Sequence, residues 1–209
     1  MQEKLDRYLT LLLEANARFN LTAIRNPEGI RVRHFEDSLR LLEAASFPGK
    51  RVLDAGSGAG FPGLVLKIAE PSIRLTLLDA TGKKVRFLQS VCDELGFSDG
   101  VLCVHGRAEE LGHDSDFRER YDIVTARGVA ALPALCEVCL PFVKTGGVFL
   151  AMKETPEVYP GAKRFGGEQD EAFAYTLSDG RSHAVCRFRK VTATPAAFPR
   201  SWGKIKADG

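Results

Sequence analysis

Asp54-Ala55-Gly56-Ser57-Gly58-Ala59-Gly60-Phe61-Pro62-Gly63 decides the fold. It follows an apolar run, Arg51-Val52-Leu53, and leads into Leu64-Val65-Leu66-Lys67-Ile68-Ala69. That order reads as strand, tight glycine turn, helix. Glycine is needed where the backbone takes angles that a Cβ forbids and where a ligand must approach the main chain closely. A helix starting there points free N–H groups, and the positive end of its dipole, at whatever sits over the loop. Pro62 suits the first helical turn, where its missing N–H costs nothing. The stretch predicts a nucleotide-type cofactor site at the top of a parallel strand.

The spacing alone leaves two cofactors open. Gly58-x-Gly60-x-x-Gly63 satisfies the dinucleotide fingerprint, and Asp79 closes a second strand, Arg74-Leu-Thr-Leu-Leu-Asp79, where a ribose-binding acid belongs. Asp54 points the other way. An acid at the end of the first strand would oppose a pyrophosphate but tolerate a cation. A carboxylate-rich pocket suits S-adenosylmethionine, which carries a sulfonium, an ammonium and a ribose diol for Asp79.

With 209 residues, 44% of them hydrophobic, one domain with a substantial core is expected. We read residues 1–48 as an N-terminal helical cap and 49–209 as a Rossmann-like core with a basic tail. Net charge is only +2, so no global field dominates. No run of eighteen apolar residues and no signal-peptide pattern is present, so no membrane partner is expected. Five cysteines read as reduced thiols of a cytoplasmic protein. Cys136-x-x-Cys139 lies in an apolar helical pattern without a second Cys or His pair, so buried packing, not metal, is the expectation.

Leu5, Tyr8, Leu9 and Leu12 share one face of a first helix. A second is expected over about 28–45, with Val32, Phe35, Leu39 and Leu42 on its apolar side and Arg33 and His34 opposite. Strands are expected at 51–55, 74–79, 101–105, 121–126 and 147–152, with helices at about 62–70, 82–95 and 133–144. Thr81 is placed to cap the middle helix and Gly96 to end it. Such alternation specifies an open doubly wound α/β sheet. Two further strand patterns, 172–177 and 184–191, flank a polar turn. A terminal antiparallel hairpin on a mostly parallel sheet predicts the seven-stranded class I methyltransferase arrangement, in contrast to an all-parallel dehydrogenase sheet.

The glycine stretch resembles the signature of the bacterial 16S rRNA guanine-N7 methyltransferases, the RsmG family, also called glucose-inhibited division protein B. Arg33-His34-Phe35-Glu36-Asp37-Ser38-Leu39, Gly106-Arg107-Ala108-Glu109, Thr125-Ala126-Arg127-x-Val129-Ala130 and Leu150-Ala151-Met152-Lys153 match too, in the family's order and spacing. The resemblance covers nearly the whole chain, although the tail Phe198-Pro-Arg200-Ser-Trp-Gly-Lys204-Ile-Lys206 follows the family pattern only roughly. It implies that Gly56, Gly58, Gly60, Phe61 and Ala80 line S-adenosylmethionine, that Asp79 takes its ribose, and that Ala108 and Glu109 lie at its adenine. It implies methylation of N7 of guanine 527 in 16S rRNA, free or in a small-subunit particle; a monomer without metal is expected.

Arg127 ends the fourth strand, on the face where doubly wound sheets bind ligands. It suits a bidentate contact with the methionine carboxylate or a substrate phosphate; a weak surface pair is the ordinary alternative. The segment after it has no Asn/Asp-Pro-Pro-aromatic run, as adenine-N6 transfer uses, and no Pro-Cys nucleophile, as cytosine-C5 transfer requires. Guanine N7 already carries a lone pair, so no catalytic base is expected, only alignment. From residue 181 onward seven Lys and Arg residues face one acid, Asp208. That basic end is the footprint expected for RNA phosphates, with Arg200, Lys204 and Lys206 as contacts, Trp202 placed to stack on a base, and Arg33 and His34 reaching RNA or bracing the pocket. Three other readings stand beside this one: a methyltransferase of small molecules or proteins on the same fold, an NAD-dependent oxidoreductase, and a noncatalytic RNA-binding protein.

Overall fold

The computed structural model describes residues 1–97 and 99–208. Its centre is one sheet in the order β3-β2-β1-β4-β5-β8-β6, with β7 also paired to β8. The strands β1 (Arg51–Ala55), β2 (Arg74–Asp79), β3 (Val101–His105), β4 (Tyr121–Arg127) and β5 (Val143–Lys153) run parallel. β8 (Ser182–Lys190) is antiparallel to β5, and both β6 (Gly167–Gln169) and β7 (Phe173–Thr176) are antiparallel to β8.

The seven expected lateral positions are therefore filled by eight strands. β6 pairs with 188–190 and β7 with 182–185 of the same β8 edge, so the outermost position is one strand broken at 170–172. The short β6 has no alternating pattern long enough to read from sequence. β5 also begins earlier than expected, because Gly146 (φ +85°) and Gly147 sit in a ladder irregularity opposite Tyr121–Ile123 instead of a helix-to-strand turn.

Alternate strand residues feed two cores, as the period-two pattern requires. Val52, Leu77, Ile123 and Leu150 face one side, Leu53, Leu78, Val124 and Phe149 the other. On the first side pack α5 (Gly63–Ala69) and α6 (Gly82–Glu94), covered by the cap. The cap consists of α1 (Gln2–Asn16) and a second helical run made of α2 (Pro27–Ile30), a π-helical stretch Arg31–Glu36, α3 (Asp37–Leu39) and α4 (Leu41–Ala44). On the other side lie α8 (Leu132–Cys139) and α9 (Trp202–Ala207), with the short α7 (Ala108–Leu111) at the end of β3.

The second cap helix departs from a regular 3.6-residue wheel. The Asp37 N–H reaches back five residues to Val32 O, and the inserted residue rotates the rest of the helix. His34 is thereby buried beside Phe35 instead of standing on the opposite face. Thr81 does occupy the N-cap of α6, but without a side-chain cap; its own N–H is instead bound by Asp79 Oδ1 at 2.8 Å. Gly96 (φ +70°) follows that helix as expected. Among the described residues no helix is long and apolar enough to cross a membrane.

Candidate functional site

A narrow slot with a cavity volume of about 120 Å³ opens at the C-terminal ends of β1, β2 and β3. Of the residues expected at the cofactor, Gly56, Asp79, Ala80, Ala108 and Glu109 line it. Leu78, Val129, Leu135, Val138 and Trp202 supply its apolar walls. Asp79 fixes the floor: one carboxylate oxygen accepts from Gly58 N at 2.9 Å and the other from Thr81 N at 2.8 Å. Gly56 N and Ser57 N both donate to Leu78 O, so the glycine loop is laced to β2. At Gly56 (φ +71°) a Cβ would stand 2.6 Å from Val129 Cγ2, so only glycine lets the loop after β4 close over it. Arg107 is the single cation lining the slot among the described residues, and Glu109 holds it. Two carboxylates between apolar walls fit a nucleoside diol and amine, and leave a diphosphate without an unpaired cation.

Asp54 corrects the reading of the first strand. Its side chain is fully buried, with Oδ2 accepting from Gly63 N at 3.1 Å and Oδ1 from Thr125 Oγ1 at 2.8 Å. Burial raises its pKa to about 6 against the lowering effect of those bonds. It caps α5 from within and does not face the slot, so it cannot repel a pyrophosphate there. The same contact occupies the first N–H of α5, and Pro62 stands at the N-cap instead of inside the first turn.

Gly60 and Phe61 turn toward the cap. A Cβ on Gly60 (φ +106°) would meet Tyr8 Oη at 2.5 Å, and Phe61 packs against Tyr8, Phe35 and His34. Arg127, expected at the cofactor, lies outside the slot. Its guanidinium donates to Asp37 Oδ2 at 2.8 Å, Arg33 O at 3.1 Å and His34 Nδ1 at 2.6 Å, and sits 5.3 Å from the centroid of Phe61. Asp37 Oδ1 accepts from the Tyr175 hydroxyl at 2.6 Å. Because arginine only donates, His34 Nδ1 must accept, which puts the imidazole proton on Nε2, 2.7 Å from Thr22 Oγ1. Burial and the Arg127 cation lower the His34 pKa to about 3, so the ring is neutral. This hub floors a second, open bowl with a cavity volume of about 550 Å³, which Arg33, Lys153 and His183 also line.

Residues 1–163 match the family GidB, rRNA small subunit methyltransferase G. The ribosomal RNA small subunit methyltransferase G of Alkaliphilus oremlandii is 42% identical over 209 residues, covering 96% of this chain and 87% of that protein. The chain belongs to the rRNA small subunit methyltransferase G family. Solved structures show the fold alone. TrmN from Thermus thermophilus superposes with a TM-score of 0.55 at 20% identity over 75% of this chain and 48% of that one. The [4+2]-cyclase SpnF does so with 0.61 at 14% identity over 76% and 81%.

In this member of the rRNA small subunit methyltransferase G family the basic tail is not a free tail. Arg181 pairs with Asp179, Arg187 and Arg189 with Asp170, Lys190 with Glu119, and Arg200 with Glu137 and Asp208. Acids elsewhere in the chain thus neutralise most of the charge counted from sequence, and Lys190 is fully buried. Arg200 faces inward as His34 does, while Lys204 and Lys206 stay exposed. Trp202 lines the slot instead of standing among free cations. Asp37, Tyr175 and Trp202 were the functional neighbours that sequence reasoning did not single out for these positions. Asp37 stood inside a quoted motif, and an acid set between Phe35 and Leu39 of the apolar face was the available signal.

Proposed function

We propose that this chain transfers a methyl group from S-adenosylmethionine to N7 of guanine 527 in 16S rRNA. Family membership carries the coarser statement, an S-adenosylmethionine-dependent rRNA methyltransferase. The observation that supports the finer one is adjacency: Val129 lines the slot while Gly128 and Ala130 line the bowl, so one loop separates the carboxylate-bearing slot from an opening where Arg33 and Arg181 stand paired with Asp179 and Lys153 with Glu157.

Asp79 and Glu109 would hold the ribose and adenine of the cofactor, and the Gly56 and Gly58 backbone would let it approach. When bound, the cofactor supplies an electrophilic methyl group. The chain's own part is alignment. His34 is neutral, buried and committed to Arg127 and Thr22, so it holds the bowl's floor and takes no proton from the substrate. A guanine N7 lone pair needs none removed, and catalysis reduces to orientation in a field of fixed dipoles.

RNA would enter over the bowl past Arg33, with Lys204 and Lys206 beside the slot. Arg18, Lys83 and Arg86, which carry no ion pair among the described residues, line a groove with the exposed Phe19 and extend the cationic surface. The reading takes the chain as one domain working as a cytoplasmic monomer, since cap, sheet and tail each supply part of the site. Mapping N7-methylguanine in 16S rRNA from cells with and without this protein tests it. The modification at position 527 should vanish in the deletion strain; its persistence there would overturn the assignment. In vitro transfer to naked 16S rRNA and to small-subunit particles separates the two forms of substrate.

A further inference from the structure

Trp202 opens α9 and lines the slot beside Ala108, Glu109, Leu135 and Val138. Its position is imposed from both sides. Two residues earlier, Arg200 grips Glu137 through both carboxylate oxygens, Nε to Oε1 and the terminal nitrogen to Oε2 at 2.8 Å each, while the Arg200 backbone N–H donates to the same Oε1 at 3.0 Å. The Glu137 side chain is only 3% exposed and sits on α8, the helix that also gives the slot Leu135 and Val138. Three residues later, Ile205 is buried in the same core. Upstream, Arg118 donates to Thr194 O and Phe198 O, and His113 Nε2 donates to Pro199 O at 2.7 Å.

The segment is thus built into the wall of the slot by buried charge, not laid over it. A flat, half-buried indole at the mouth of an apolar slot is the side chain that stacks on a purine. Glu109, in the same wall, can accept from an exocyclic amine. We propose that Trp202 is the aromatic wall of the adenine end of the slot, and that the Arg200–Glu137 clamp makes the C-terminal segment a cofactor-binding element. This rests on the reading of the slot as an S-adenosylmethionine site.

The chain contains a single tryptophan, so its fluorescence reports on this one wall. Titration of the whole protein with S-adenosylhomocysteine should change that emission and saturate with the Kd found by calorimetry. Trp202→Ala should weaken binding about tenfold and Trp202→Phe, which keeps a stacking face, should recover most of it. Unchanged emission at calorimetric saturation, or wild-type affinity in Trp202→Ala, would overturn the wall alone. If the wild-type protein binds no S-adenosylhomocysteine, the reading of the slot falls and the wall with it. The fluorescence arm needs no variant, so a poorly folding Trp202→Ala does not rescue the proposal.

Discussion

The slot and the Asp37–Arg127 hub lie side by side, separated by the loop after β4, yet they are built on opposite principles. The slot comes from the ends of neighbouring parallel strands, whose register brings Gly56, Asp79 and Ala108 together although each sits on its own strand–turn–helix unit. Its carboxylates bind backbone, the exposed Arg107 and, at 3.9 Å, Lys84, and keep accepting capacity for a ligand. The hub draws Asp37 from the cap, Arg127 from β4 and Tyr175 from the hairpin, and its polar groups satisfy one another. A ligand gains little from a closed set of partners. The slot is made to bind, and the hub to hold the cap and hairpin against the sheet.

Removing the hub's one carboxylate should give the largest effect. The Asp37 side chain is 3% exposed and that of Arg127 18%, so Asp37→Ala strands a buried guanidinium and a buried tyrosine hydroxyl. Breaking a buried pair from one side costs about 3–5 kcal/mol. Arg127 keeps its bonds to His34 and Arg33 O, which places the expectation near the lower figure. Urea unfolding followed by circular dichroism measures it. A loss below about 1 kcal/mol would show that the apolar face of the cap, not the hub, secures it.

The hub should also have a pH signature. The His34 pKa falls from 6.5 to about 3 on folding, so the folded state binds fewer protons than the unfolded one between those values. Its contribution to stability is complete above about pH 6.5 and is lost progressively as pH falls toward 3. Asp54 acts with the opposite sign. Its pKa rises to about 6, so its contribution is complete below the unfolded value of 3.8 and is lost as pH rises through 6. The two oppose each other between about pH 4 and pH 6. His34→Gln removes only the first term, so stability on going from pH 7 to pH 4 should fall by roughly 3 kcal/mol less than in wild type. Parallel unfolding curves at the two pH values check this; an identical pH dependence in both proteins would mean that His34 already titrates normally when folded.

The same contrast governs what could be read from sequence. The slot was legible because each part is local: a glycine turn, an acid closing a strand, an Ala-Glu pair opening a helix. The doubly wound sheet followed from the alternation of strand and helix patterns, and the hairpin from two strand patterns around a polar turn. The hub was not legible, since Asp37 and Arg127 are 90 residues apart and a π-helical insertion rotates His34 off the face that a regular wheel assigns. Net charge misled at the tail for a related reason. Arg187, Lys190 and Arg200 count as free cations in a string, but Asp170, Glu119 and Glu137 meet them only once the sheet is formed. Asp54 shows the limit within a motif, because spacing does not say which side of the strand a carboxylate faces.

The smallest effect belongs to Glu109, and it separates the two regions most cleanly. Among the described residues its side chain, 9% exposed, pairs with Arg107, whose own side chain is 46% exposed, so removing the acid frees a cation that water already reaches and strands no buried charge. Glu109→Ala should leave the unfolding free energy within about 0.5 kcal/mol of wild type. In the slot it removes one acceptor, worth about 1 kcal/mol and thus roughly a fivefold weaker Kd for S-adenosylhomocysteine. Asp37→Ala should do the reverse at temperatures where it stays folded, lowering stability while calorimetry finds the slot's affinity within about twofold, because the hub does not line it. Equal shifts of stability and affinity in both variants would mean that slot and hub form one cooperative unit, and the division of labour between them would have to be abandoned.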